Sequence, residues 1–205
     1  MLFMFEKKSL YVAAVLAAIG WGAPAMAAPI AATGTTDVTV SGFFLSVLTD
    51  NGISASPIEP ATASGAVFSF DITGGETDPL SIEHSGGVLF EKGSENLSAT
   101  NFIIDGVLGT VSANVNGGDD FLAIFDLNNI DASGPLTADL LINATLAGAI
   151  SATFFDDDIS GTLVGQTFGS ASTAPSPVPI PASGLLLLAG MGGLAAMRRR
   201  KAASA

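Results

Sequence analysis

Between the two ends of the chain the residue best equipped for chemistry is His84, the single histidine among 205 residues. Haem iron takes an axial His, Tyr, Met or Cys. Residues 28–177 contain no Tyr, Met or Cys, so His84 alone could serve. Followed by Ser85-Gly86-Gly87, it reads as a residue in a turn at a strand edge, where histidine more often packs or caps than ligates. A second candidate is rich in oxygen. Asp156-Asp157-Asp158-Ile159-Ser160-Gly161 sets oxygen side chains at positions 1, 3 and 5 and a glycine at 6, as a calcium loop does, with Asp156, Asp158 and Ser160 as the ligands. Position 12 is Thr167 where such a loop uses a bidentate carboxylate, so a solvated acidic loop is the competing reading. Asp119-Asp120 could add ligands only if the fold brought them near. Hydrolysis finds less support. Paired carboxylates can cleave a glycoside, but Trp21 and Tyr11 both lie in the first 27 residues, so the rest of the domain has no Trp or Tyr on which a sugar could stack. A serine triad would depend on His84, and no G-x-S-x-G elbow exists. No catalytic set emerges, and the chain reads as a non-enzyme.

Charge narrows the partners. Residues 28–177 hold eighteen acids against one base, Lys92, a net charge of −17. No basic face exists to track phosphates, which excludes nucleic acid. The charge suits solubility and mutual repulsion in a saline medium. There is no cysteine, hence no disulfide, thiol chemistry or Cys-based metal site. Eleven of the thirteen Phe fall in residues 28–177, enough large apolar material for one modest core.

The ends are addresses. In residues 1–27, Lys7 and Lys8 precede an apolar stretch from Leu10 to Ile19, and Ala25-Met26-Ala27 forms a small-residue cleavage box. This is a secretory signal peptide cut between Ala27 and Ala28. At the other end Pro175, Pro177, Pro179 and Pro181 make a stiff extended approach. From Ala182 to Met197 run 16 residues without a charge, then Arg198-Arg199-Arg200-Lys201. As a helix those 16 residues measure roughly 24 Å, against a hydrocarbon core of ~30 Å. The basic cluster makes it a transmembrane segment, over 183–197, whose end stays in the cytoplasm.

Val178-Pro179-Ile180-Pro181-Ala182, a Gly-containing apolar helix and a terminal arginine run together resemble the PEP-CTERM sorting signal in its VPLPA-like variant, with Ile180 where the commonest form has Glu. The resemblance covers residues 178–205. It implies a Gram-negative bacterium, signal peptidase and an exosortase as partners, an inner-membrane-anchored intermediate, and delivery to the cell surface or extracellular matrix of an exopolysaccharide-producing biofilm. Removal of the tail would follow the logic of a GPI signal.

The elements that must position His84 and the acids are β-like. Ala66 to Thr73 alternates cleanly. Extended segments are also expected over residues 37–48, 87–91, 97–105, 109–116 and 121–127. Turns are expected at Asp50-Asn51-Gly52, Gly74-Gly75, Gly86-Gly87 and Asn116-Gly117-Gly118-Asp119. Thr137 as N-cap and Leu140, Leu141, Ala144, Ala147 and Ile150 at helical spacing predict one short helix over about 137–152. Residues 54–65 read as an exposed loop and 169–177 as a linker. The fold expected is mainly β: an antiparallel β-sandwich-like acidic domain over 28–168, with a signal helix before it and a transmembrane helix after it.

Within this region, Ile82-Glu83-His84-Ser85-Gly86-Gly87-Val88-Leu89-Phe90, then residues 97–104, then Ala123-Ile124-Phe125-Asp126-Leu127, are similar to a pattern of uncharacterised PEP-CTERM surface proteins, itself distantly similar to the β-rich HtaA haem-uptake domain. The expectation is a non-enzymatic, exosortase-processed surface or matrix protein without a resident cofactor. The alternative is a ligand-binding module, for Ca²⁺ ahead of haem.

Mass spectrometry of the exported protein should find Ala28 at its N-terminus. Recovery of residues 1–27 on extracellular material would overturn the export signal.

Overall fold

The computed structural model describes residues 33–175, and the expected signal peptide, sorting motif, transmembrane segment and basic tail lie outside them. Its elements in chain order are β1 (Gly34–Val40), α1 (Gly42–Asp50), β2 (Ser54–Ile58), β3 (Thr62–Ser64), β4 (Val67–Thr77), β5 (Leu80–His84), β6 (Gly87–Lys92), β7 (Glu95–Asp105), β8 (Thr110–Val115), β9 (Phe121–Asp131), β10 (Leu136–Ile142), α2 (Ala144–Phe154), α3 (Ser160–Leu163) and β11 (Thr167–Pro175). The protein is mainly β, as expected, but the sheet does not split into a sandwich. Neighbouring strands run in the order β7-β5-β4-β1-β11-β10-β9-β8, all antiparallel, and β8 pairs back onto β7. Eight strands therefore close into a barrel. Closure leaves no free edge within the ring, which a sandwich would have to protect.

Alternation drives the barrel strands. In β1, Thr36, Val38 and Val40 are buried and the residues between them are not; in β10, Ala138, Leu140 and Ile142 do the same. That second pattern corrects the helix expected over 137–152. Residues 136–142 pair with β9 on one side and β11 on the other, and Leu141 faces away from Leu140 and Ile142. The helix begins only at Ala144. Its cap is Asn143, whose Oδ1 accepts from Thr145 and Leu146 N–H at 3.0 and 3.1 Å, in place of Thr137.

Of the extended chain expected over 37–48, residues 37–40 are strand in β1, and a helix, α1, replaces the rest. Ser41 breaks β1: its Oγ accepts from Phe44 N–H at 3.1 Å and donates to the Thr167 carbonyl at 2.6 Å. Phe44 and Leu48, four residues apart, then share the buried face of α1. Two other expectations give way to pairing. Residues 54–65 include β2 and β3 as well as the loop between them. Residues 169–175 belong to β11, inserted between β1 and β10, so the expected linker is strand over its described part. The turn at Asn116-Gly117 is present between β8 and β9, with φ of +51° and +71°. Among the described residues no helix is long and apolar enough to cross a membrane.

Strand directions place the connections at two ends. The turns β4–β5, β7–β8 and β9–β10 share one end with the start of β1 and the finish of β11, which pair at Gly34 and Pro175. The other end carries α1, α2, α3 and the turns β6–β7 and β8–β9. There Lys92 Nζ donates to the Phe154 carbonyl at 2.7 Å, at the C-terminus of α2, and lies 5.4 Å from the Phe155 ring centre.

The ring closes because β7 divides one of its edges. Its first half pairs with β6, from Lys92↔Glu95 to Gly87↔Thr100, and its last three residues pair with β5. β5 and β6 are thus one line of chain broken at Ser85-Gly86, where a turn was expected. Gly86 has φ +83°, and a Cβ there would stand 2.6 Å from the Ala61 nitrogen. Gly86→Ala should therefore lose more stability in urea unfolding than Gly117→Ala. Gly117 shares the positive φ with open space around it, and strain alone costs ~1–3 kcal/mol. Equal losses would show that the close approach to Ala61 is unimportant.

Candidate functional site

The site grows from the break in the β5–β6 line. His84 is the last residue of β5, and the strand's inward alternation carries its ring into the barrel, where it is 5% exposed. It is therefore an interior residue, where sequence had suggested a turn at a strand edge. Opposite the break, β7 slips register between Thr100 and Ile103, and Asn101 adopts a left-handed φ of +56°. Asn101 N–H reaches the Gly86 carbonyl at 2.9 Å. This bulge aims the Phe102 carbonyl at His84, 3.1 Å from Nδ1.

The partners fix the histidine's protonation. A carbonyl only accepts, so Nδ1 carries the proton and donates to Phe102. Nε2 is then bare and accepts from the Thr36 hydroxyl at 2.6 Å. Thr36 Oγ1 in turn accepts from the Thr173 hydroxyl at 2.9 Å. The three side chains, from β5, β1 and β11, form a buried polar rung across an otherwise apolar barrel. Burial pushes the His84 pKa down, and the hydrogen bond to Phe102 opposes that only in part. Among the described residues, no buried side-chain nitrogen or oxygen lacks a hydrogen-bond partner.

Apolar space lies on the helical side of the rung. A small cavity of about 50 Å³ adjoins Thr36 and His84. Beyond Phe68, Val88, Phe90 and Phe168, which line both, a larger one of about 170 Å³ sits beneath α1, bounded also by Phe44 and Leu48. Phe168 stacks against Phe44 and Phe125 at 4.6 and 4.8 Å between ring centres.

Neither expected metal chemistry fits these residues. Both His84 nitrogens are engaged, so no lone pair is free for iron, and about 50 Å³ holds a water or two but no macrocycle. His84 also has no carboxylate partner, so it completes no triad. In the acidic loop, Asp158 Oδ1 accepts from Ser160 N–H at 2.9 Å and from the Ser151 hydroxyl at 3.2 Å. The Ser160 side chain and backbone, then Ser151, hold its carboxyl below the usual carboxylate range. Asp158 thus fastens α3 to α2. Asp156 and Asp157 point outward beside it, and Asp119 and Asp120 occupy a separate turn between β8 and β9. Among the described residues, no group of three acidic or histidine side chains could hold a metal ion.

Sequence reasoning missed Thr36, Thr173 and the cavity beneath α1. The alternation of Thr36 with Val38 and Val40 was the available signal for the first of these.

No protein-family model and no curated protein matches the sequence. Among solved structures, the haem-binding protein HtaB of Corynebacterium glutamicum is similar at 16% identity and TM-score 0.49, over 72% of this chain and 95% of that one. The C-terminal domain of HtaA from the same organism is similar at 15% identity and TM-score 0.48, over 70% and 98%.

The neutral rung makes stability depend on pH. Because the His84 pKa is lower folded than unfolded, the unfolded chain takes a proton first as pH falls. The contribution is complete above the unfolded value of ~6.5 and is lost as pH drops below it, by at most ~1.4 kcal/mol per pH unit. Melting curves between pH 7.5 and 5 should show this loss for wild type and not for His84→Gln. Parallel curves would show that the ring is protonated without cost.

Proposed function

We propose that the protein is a non-enzymatic binding module, exported to the cell surface, that takes a small neutral apolar group into the cavity beneath α1. The carrying observation is the cavity itself: about 170 Å³, bounded by Phe44, Leu48, Phe68, Phe90 and Phe168. An engineered cavity of ~150 Å³ lined by Leu, Ile and Phe binds benzene, so the space suits one aromatic ring or a short branched alkyl group. Specific pockets pair apolar walls with a few polar groups that orient the ligand. Thr49, on α1, is the polar side chain among the lining residues that could orient such a ligand.

The alternatives have weaker support. A haem would need an axial ligand and a slot that the interior does not offer, and a calcium ion would need a cluster of ligands that the described residues do not form. The HtaB comparison names a haem-binding protein, yet its low identity and partial superposition lend no weight to haem here. Surface delivery through signal peptidase and an exosortase, and association with exopolysaccharide, rest on the sequences before Ala28 and after Pro177.

Toluene or indole should raise the melting temperature of the mature protein in a saturable way, with ~2.7 kcal/mol of stabilisation at a hundredfold excess over Kd. Ala55→Phe, which fills the cavity from β2, should abolish that response while leaving the melting temperature without ligand unchanged or higher. Should Ala55→Phe prove too bulky to fold, Ala66→Leu fills the same space from the far side. No stabilisation by any apolar probe, or stabilisation that survives filling, overturns the proposal. Haem added in parallel is expected to give no axial-ligand spectrum.

A further inference from the structure

The end of the barrel opposite the helices bears an unexplained apolar tip. In the turn between β7 and β8, Val107 and Leu108 are 71% and 73% exposed, more than any other large apolar residue described. The tip is held rigidly. Asp105 Oδ1 accepts from the N–H groups of both residues at 2.8 Å, and Gly109 N–H returns to the Asp105 carbonyl at 2.9 Å. The carboxylate is thereby turned back towards the barrel, with the two apolar side chains ahead of it. Ile130, near the finish of β9, is 49% exposed at the same end.

Pro175, the last described residue, lies at this end as well, since it pairs with Gly34. Only Ser176 to Pro181 separate Pro175 from the uncharged run Ala182–Met197. The seven residue steps from Pro175 to Ala182, rich in proline, span about 22 Å at ~3.1 Å each in an extended polyproline form. If Ala182–Met197 enters a bilayer, this end of the barrel is tethered within that distance of it, while the helical end points away.

We propose that the β7–β8 turn rests on the lipid bilayer, with Val107 and Leu108 entering the boundary between headgroups and acyl chains and fixing the orientation of the barrel. The net charge of −17 over residues 28–177 is poorly suited to anionic lipid, so the fitting surface is zwitterionic. Amphipathic segments bind the interface through just such buried apolar contacts, and here the tether raises the effective concentration of the tip at the membrane. The inference rests on the membrane-entering tail expected from sequence and is independent of the ligand cavity.

The chain has no cysteine, so Val107→Cys and Leu108→Cys each give a single labelling position, and Asp119→Cys at the helical end gives a control. The chain without its signal peptide but with its tail, residues 28–205, would be labelled with an environment-sensitive fluorophore and reconstituted in phosphatidylcholine vesicles. Labels at 107 and 108 should shift to the blue and lose most of their emission when the lipid carries a spin-label quencher, and the label at 119 should do neither. Equal exposure of all three labels overturns the proposal. So does a blue shift that lipid quenchers leave untouched, since the chain's own tail or a second copy would then cover the tip. Failure of the protein to associate with vesicles at all refutes the membrane tail itself, and leaves toluene or indole binding beneath α1 unaffected.

Discussion

Everything in the barrel hangs on β7 sharing one edge between two strands. A closed sheet needs every strand paired on both sides, and β7 meets β8 on one side and first β6, then β5, on the other. The handover requires a break in the β5–β6 line and slack in β7. Gly86 provides the first with a positive φ that brings the chain against Ala61, and the Asn101 bulge provides the second. Because the break falls one residue after His84, the last inward-facing position of β5 is the histidine. Because the bulge falls opposite, the carbonyl it frees is the one His84 needs. Backbone geometry and side-chain chemistry at this point are a single constraint. β6 beyond the break is free to leave the ring and carry β2 with it, which builds the wall of the cavity under α1.

The rung of His84, Thr36 and Thr173 is a costly feature for an apolar interior, tolerated because each polar atom finds a partner. A protonated ring would carry its charge into a space walled by Phe68, Phe70 and Phe102, with no carboxylate to receive it. The site is thus arranged to hold a neutral ring still, which is the opposite of what a general base or an iron ligand needs.

Some of this was legible in the sequence. Residues 66–73 alternate, and Asn116-Gly117 sits between two strand-like runs, so period and turn chemistry agreed there. Local pattern failed where tertiary pairing decided. Residues 137–142 offer apolar groups at both helical and strand spacing, and only neighbours from β9 and β11 select the strand. Phe43-Phe44-Leu45 is a short apolar run whose length fits either state, and the Ser41 cap settles it. Gly74-Gly75 and Gly86-Gly87 were read as turns, yet the first lies within β4 at a register slip and the second at the β5–β6 break. Glycine signals a demand for unusual backbone without saying whether the chain reverses there. Closure itself left no local trace, since the β7–β8–β9 run looks the same in an open sheet.

Charge completes the separation of roles between the two ends. The one base among the described residues, Lys92, is committed to the Phe154 carbonyl and the Phe155 ring, where it favours the C-terminus of α2. It cannot also greet an incoming anion. Asp50 closes α1, Glu91 lies beside β2, and Asp119, Asp120 and Asp156 to Asp158 occupy the turns of the same end. An anionic ligand approaching the cavity would cross that field with no cation to receive it, whereas a neutral or cationic one would meet no barrier. The same distribution bears on the choice between haem and a simple apolar group. Haem brings two carboxylates as well as a demand for an axial ligand, and the helical end opposes the first as firmly as the saturated His84 refuses the second. What remains compatible with walls, rung and field together is an uncharged hydrophobic group small enough to lie beneath α1.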